Sequence, residues 1–582
     1  MRTPWLALLI PLVLSACEGP TPDAEIPTAV APPTVTDIAD AYYAAYLARY
    51  PTAGYFSGVP VTRHDRLVEN TPEALARWWA TEDLLYERLM RIDRNTLVGT
   101  PDWLLHGLLQ GELEASIGLR ICRNDLWDVN HMWGWQLGMP RVAAVQPTGD
   151  ADQRAQALTR WKDFPLFIDR EIANLRTGLA AGYSSPRRVV RRVIDQLDGL
   201  IALGVDASPF LEPARHSDDE AFALALTEVV ADRIQPALLR YRDFLLDEYL
   251  AAARDALAVS ANPDGRACYA ASLRNYTTLQ RSPEAIFAAG RVAVAANRAR
   301  VVELGQAGYG TSDFAEIIRL ARDDPREHYG SADELLAYAR DAAVRSRAGV
   351  ADLFETLPEG ELAVEPYPPH LDGTGVSDRY ENGDGTRPGI YRIGLAGWPE
   401  RNRGNAEITV FHEGFPGHHL QLAIARELPA VHPLTTLIFN SGFGEGWARY
   451  AEDLAEIAGL YSSPAAPILR RAWPARGMVV DPGIHVFGWS AEQAGAYMLE
   501  SGRFAPERID DMVDRIAILP GQLTAYDAGA LEMLALRDQA SAAIGPGFHL
   551  REFHSELLRN GTIPLPLLRE HIEMWVAAET SR

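Results

Sequence analysis

Cysteine is scarce in this chain, with three among 582 residues. That excludes a scaffold held by many disulfides and leaves room for one pair at most. Positive charge is also in deficit: 55 Lys and Arg face 78 Asp and Glu, a formal net charge of -23. A polyanion would be repelled by that field, so nucleic acid is excluded as a partner. No fixed-period internal repeat is present, and the N-terminal apolar run, Trp5 to Leu14, is too short to span a bilayer. What remains, 47% hydrophobic and 23% charged residues, is the composition of a globular protein with no shortage of core.

The N-terminus carries an address. Arg2 precedes the apolar run, which ends in Leu14-Ser15-Ala16-Cys17. Small residues before a cysteine fit a lipoprotein cleavage box that leaves Cys17 as the lipidated N-terminus; an ordinary signal peptide with an incidental cysteine is the alternative. Either exports the chain. The expectation is a signal peptide over residues 1–17, a Pro/Ala/Thr-rich tether over 18–35, and a body held by lipid on the periplasmic side of the bacterial cell envelope. In such an oxidising compartment Cys122 and Cys268 could pair, or remain two buried thiols.

From about residue 36 the apolar spacing is helical. Ile38, Tyr42, Tyr43, Tyr46 and Leu47 form one stripe, and Leu84, Leu85, Leu89 and Met90 another. Similar patterns run through 104–120, 152–182, 189–204, 219–256 and 284–304, with Ser282 placed to cap a helix beginning at Pro283. The stretch 356–405 is different. Rich in Pro and Gly, with extended runs at Glu361–Val364 and Gly389–Ile393, it predicts a small antiparallel sheet. The Gly389–Ile393 run is either a cleft-edge strand for an extended peptide or part of a structural hairpin. The fold class is therefore mainly α with a minor β element, an N-terminal helical region over 36–355 preceding a region over 356–582 that holds the chemistry.

That chemistry centres on His412-Glu413-Gly414-Phe415-Pro416-Gly417-His418-His419. A helical His-Glu-x-x-His motif places two imidazoles on one face, with the Glu reaching a metal-bound water. Here position i+4 is Pro416, and the next histidines fall at i+6 and i+7. On an ideal helix i+6 points about 120° away from the start. Pro416 lacks an N–H and crowds the carbonyl of His412, while Gly417 accepts unusual dihedrals. A bulge or kink of about two residues at Phe415–Gly417 would bring His418 beside His412. His419 lies roughly 10 Å along the axis and is the alternate. Glu445, flanked by Gly444 and Gly446, is the third ligand; Glu452, two turns on, is its competitor. The glycines are expected to let this helix approach the first one closely. The implied metal is zinc, with Glu413 as general base.

At these residues the chain resembles a bacterial family of unknown function grouped with zincin-type peptidases. The likeness runs through Tyr276-Thr277-Thr278, Arg387-Pro388-Gly389-Ile390-Tyr391, the His412–Gln421 segment, Glu445-Gly446-Trp447, Asp481-Pro482-Gly483-Ile484-His485, Pro520-Gly521-Gln522 and Gly561-Thr562-Ile563-Pro564-Leu565. Departures occur at Ile516, where Tyr is expected, and at Asp527, where Lys is common. The resemblance implies a large helical metallopeptidase-like fold with a deep cleft, and Tyr526 or, second, His485 as a donor to the oxyanion. Both could equally be packing residues.

The expected activity is zinc-dependent hydrolysis of peptide bonds, with short peptides as substrate. A zinc amidase acting on cell-wall peptides or small amides would use the same site. A lipid-anchored binding protein with a vestigial zinc site is the non-enzymatic rival. The sequence says nothing of oligomeric state.

Overall fold

Local signals set some element boundaries. Ser282 accepts from the Ala285 N–H at 3.2 Å, and with Pro283 in the first turn it starts the helix Pro283–Tyr309, which ends at left-handed Gly310. The computed structural model describes residues 33–368, 372, 377–383, 387–504 and 506–581. The predicted signal peptide, Cys17 and nearly all of the tether lie outside the described residues. No described helix is long and apolar enough to cross a membrane.

The helices that position the site are α1 (Pro101–Leu119), α2 (Gly265–Thr277), α3 (Arg403–Glu413), α4 (His418–Glu427), α5 (Ser441–Ile457), α6 (Arg476–His485) and α7 (Ala525–Ile544). The expected helical stretches all appear: Ala151–Ala180 and Arg187–Ala202 are single helices, and 220–252 is helical throughout with two π turns. One stripe is shifted. Leu84 and Met90 face solvent, and the buried face of Pro72–Leu89 is Trp78, Glu82, Leu85 and Leu89. The largest apolar cluster joins the two ends of the chain, with Ile38 and Leu109 packed in the same body as Phe411, Trp447 and Met533. Each such fully buried side chain contributes roughly 1.5–3 kcal/mol. Cys122 and Cys268 are disulfide-bonded, linking the end of α1 to α2.

The sheet corrects the sequence reading. Three strands, β1 (Leu362–Pro366), β2 (Arg379–Glu381) and β3 (Gly389–Ile393), pair in the order β1-β3-β2. β1 runs parallel to β3, with Leu362 opposite Gly389, and only β2 is antiparallel, with Arg379 opposite Arg392. The connection from β1 to β3 is long enough for a parallel return, whereas a tight hairpin would force the antiparallel arrangement. β3 is therefore the central strand. Both of its edges are occupied, so it offers none to a peptide.

Candidate metal centre

The helical run breaks more completely than a bulge. α3 stops at Glu413 and α4 begins at His418, with Gly414-Phe415-Pro416-Gly417 between them. A Cβ on Gly417 would lie 1.9 Å from the carbonyl oxygen of His412, so only glycine lets the chain fold back this tightly. Trp447 of α5 pins the break: its indole N–H donates to the carbonyl of Pro416 at 3.0 Å and reaches that of Gly417 at 3.3 Å.

The break brings His412 and His418 together, ring centroids 5.0 Å apart and planes perpendicular. Glu445 Oε2 lies 3.7 Å from His412 Nε2 and 3.5 Å from His418 Nε2. One ligand atom from each of the three residues falls within 4.8 Å of the others. Two imidazoles and a carboxylate converging in this way fit a divalent ion such as zinc and leave a coordination position open. His412 Nδ1–H donates to Glu452 Oε1 at 3.0 Å, which fixes that ring's tautomer and turns Nε2 toward the cluster. Glu452 is in turn held by Arg449, at 2.8 and 2.9 Å to its two oxygens. It is a support for His412, not a competing ligand. His418 Nδ1 is buried with no hydrogen-bond partner, so the described residues leave that ring's tautomer open.

His419 turns the other way. Its Nε2–H donates to the carbonyl of Gly360 at 3.1 Å, and its Nδ1 meets the Tyr380 hydroxyl of β2 at 3.1 Å. Burial pulls its pKa down to about 4. This ring ties the sheet to α4.

The glycines beside Glu445 act differently from the expectation. A Cβ on Gly446 would meet Gly529 Cα at 2.6 Å, and one on Gly529 the Gly442 oxygen at 1.9 Å. Gly446 thus brings α5 against α7, the helix carrying Tyr526, while Gly444 makes room for the Phe439 ring. Tyr526 stacks over His412, centroids 6.2 Å apart at 21°, and Arg515 Nη2 donates to its hydroxyl at 3.1 Å. Asp527 is buried with Arg449 Nε at 3.4 Å, so the residue that departs from the family pattern joins the Arg449–Glu452 pair.

His485 does not join this group. It is fully buried, accepting from the Val259 N–H at 3.0 Å and donating to the Ile516 carbonyl at 2.9 Å. Both ring nitrogens are spent on backbone, and none remains for a substrate.

Burial raises the carboxyl of Glu413 above its ordinary range, and the nearby histidines only partly offset this. Against the cost of burial, Arg449 and His412 hold Glu452 down to about 2. A cavity of about 180 Å³ is lined by His412, Glu413, Arg449, Arg515 and Tyr526. A larger one, about 520 Å³, reaches Glu445. The sequence reading did not find Arg515 as the partner of Tyr526 or Trp447 as the clamp on the break; the three-residue spacing of Arg449 and Glu452 was the one local signal available.

Fold and site thus define a mainly helical protein with a half-buried His–His–Glu cluster. The chain belongs to the family of bacterial proteins of unknown function DUF885, matched over residues 51–572. It is similar to the crystal structure of a candidate lipoprotein from Colwellia psychrerythraea, with a TM-score of 0.84 at 22% identity over 94% of this chain and 100% of that one. A second, a candidate lipoprotein of unknown function from Shewanella oneidensis, gives 0.76 at 17% identity, covering 92% and 99%. At these identities the likeness establishes the fold. No curated protein matches the chain.

Proposed function

We propose that this protein is an exported, lipid-anchored zinc metallopeptidase of zincin type, hydrolysing peptide bonds in short peptides. The observation that carries the reading is the convergence of His412, His418 and Glu445, ligand atoms within 4.8 Å, with Glu413 following His412 directly in the chain. The engagement of His419 with Tyr380 and Gly360 favours an open three-ligand set over a closed structural one. Zinc bound there would supply Lewis acidity to the substrate carbonyl and to a water.

The chain's own groups then divide the work. Glu413 takes a proton from the attacking water and returns it to the leaving amine; a carboxyl with raised proton affinity suits both transfers. Arg515 donates to the Tyr526 oxygen, which leaves the phenolic hydrogen free to meet the oxygen of the attacked carbonyl. In this reading the space beside the cluster is a cleft of a metallopeptidase-like fold, sized for short peptides. The disulfide between Cys122 and Cys268 suits an oxidising compartment. The Leu14–Cys17 box and the lipoprotein description of the similar structures support a membrane anchor at Cys17.

The test is metal analysis of the purified protein beside a peptide-library digest run with and without chelator. One zinc per chain and chelator-sensitive cleavage are expected. Absence of stoichiometric zinc, or cleavage that survives complete metal removal, would overturn the reading.

A further inference from the structure

The larger cavity has features the proposed chemistry does not use. Its volume, about 520 Å³, lies in the range of small-ligand sites, and it is lined by Glu445 itself. Four carboxylates, Glu112, Glu114, Glu445 and Glu570, and two guanidiniums, Arg94 and Arg274, face it. The guanidiniums are already paired: Arg274 with Glu114, and Arg94 with Glu570 at 2.8 Å. Glu114 also accepts from Tyr86 at 3.1 Å and Gln110 at 2.8 Å. Glu112 is different. It accepts one bond on Oε1, from the Tyr42 hydroxyl at 3.2 Å, and among the described residues no cation pairs with it.

A carboxylate on a well-packed helix, with one oxygen unspent and a cavity in front of it, is an incomplete ion pair. Burial pushes the Glu112 carboxyl up to about 7, and an arriving cation would draw it back to the ionised form. Two aromatic side chains line the same cavity and are unusually open to solvent, Trp133 at 62% and Phe439 at 52% exposure. They offer apolar faces to whatever enters. A Cβ on Gly444 would lie 2.3 Å from the Phe439 ring, so glycine beside Glu445 is what lets this aromatic lie against α5.

We infer that this cavity, which adjoins the cluster at Glu445, holds the part of the substrate that extends away from the scissile bond, and that Glu112 receives a cationic amine there, with apolar neighbouring groups held by Trp133 and Phe439. The ammonium could be a peptide's free N-terminus or a Lys side chain, one chemistry with two sources. The inference rests on the metallopeptidase reading for its substrate class, though not for its test.

The test uses the full chain carrying Glu413→Gln to stop turnover, measured with and without added zinc. Three fluorescent tripeptides with a central Phe are compared by anisotropy: one with a free N-terminus, its Nα-acetylated form, and an acetylated form containing Lys. At least one cationic peptide should bind ~10-fold tighter than the uncharged one, and which does so identifies the source. Adding Glu112→Gln, which keeps an acceptor for Tyr42, should close that gap. Equal affinity for all three peptides, or selectivity that persists in Glu112→Gln, would overturn the inference. Should Glu112→Gln lose the wild-type melting transition, Trp133→Ala at an exposed position replaces it. That variant should weaken the favoured peptide several-fold, and unchanged affinity would overturn the inference. Charge-selective binding by a wild-type protein that cleaves nothing would sink the peptidase reading alone. Cleavage with no charge preference would sink this inference alone.

Discussion

Nδ1 of His412 lies 3.0 Å from Oε1 of Glu452, two residues 40 positions apart in the sequence. The contact orients one imidazole from behind while Arg449 secures the carboxylate. Supports of this kind typically carry 10- to 100-fold in metal affinity, about 1.4 kcal/mol per tenfold. Glu452→Gln is therefore expected to weaken zinc binding by roughly one to two orders of magnitude, read by competition with a chromophoric chelator. Affinity equal to wild type would mean that His412 needs no such support.

The approach of α5 to α7 depends on paired glycines. Since a Cβ on Gly446 would sit 2.6 Å from Gly529 Cα, Gly446→Ala must push apart the helices carrying Glu445 and Tyr526. Overpacking of this kind costs about 1–3 kcal/mol. A lowered denaturant midpoint is expected, together with impaired zinc retention; a midpoint unchanged from wild type would contradict the packing argument.

How much of this was legible in the sequence differs by element. Pro416 and Gly417 announced a break through their own backbone chemistry, and that sufficed to prefer His418 over His419. The extent of the break was not legible, because Trp447, 30 residues away, helps to hold it. Helices followed from periodicity, which is local. Strand pairing did not: β2 has three residues, too few to carry a pattern, and its absence from the reading made β3 look like an edge. His485 was misjudged for the same reason, since nothing near it in sequence reveals Val259 and Ile516 as its partners.

The burial of His485 has a consequence in solution. Its folded pKa is pulled down to about 3 by burial, below the ordinary 6.5 of an unfolded chain. Above pH 6.5 neither state is protonated and the group is neutral to stability. Between 6.5 and 3 only the unfolded state gains the proton, so stability falls by up to about 1.4 kcal/mol per pH unit. The difference in unfolding free energy between wild type and His485→Gln should therefore shrink as pH drops from 7 to 4.5. A pH-independent difference would rule this out.

The Cys122–Cys268 bond closes a loop with a sequence separation of 146. Constraint of so long a loop in the unfolded chain stabilises the folded state by about 2–5 kcal/mol. Unfolding midpoints should drop when the bond is reduced, and the Cys122→Ser/Cys268→Ser double variant should match the reduced protein. Midpoints that ignore reductant would show that the bond carries no stability.

Glu413 is the residue proposed to move the proton in a zinc-dependent hydrolysis. That role is tested most directly by cleavage rates of wild type and Glu413→Gln at equal, measured zinc content on the same peptide. A loss of about 10²–10⁴-fold is expected with zinc still bound, because Glu413 is not a ligand. Cleavage by Glu413→Gln at the wild-type rate would contradict that role.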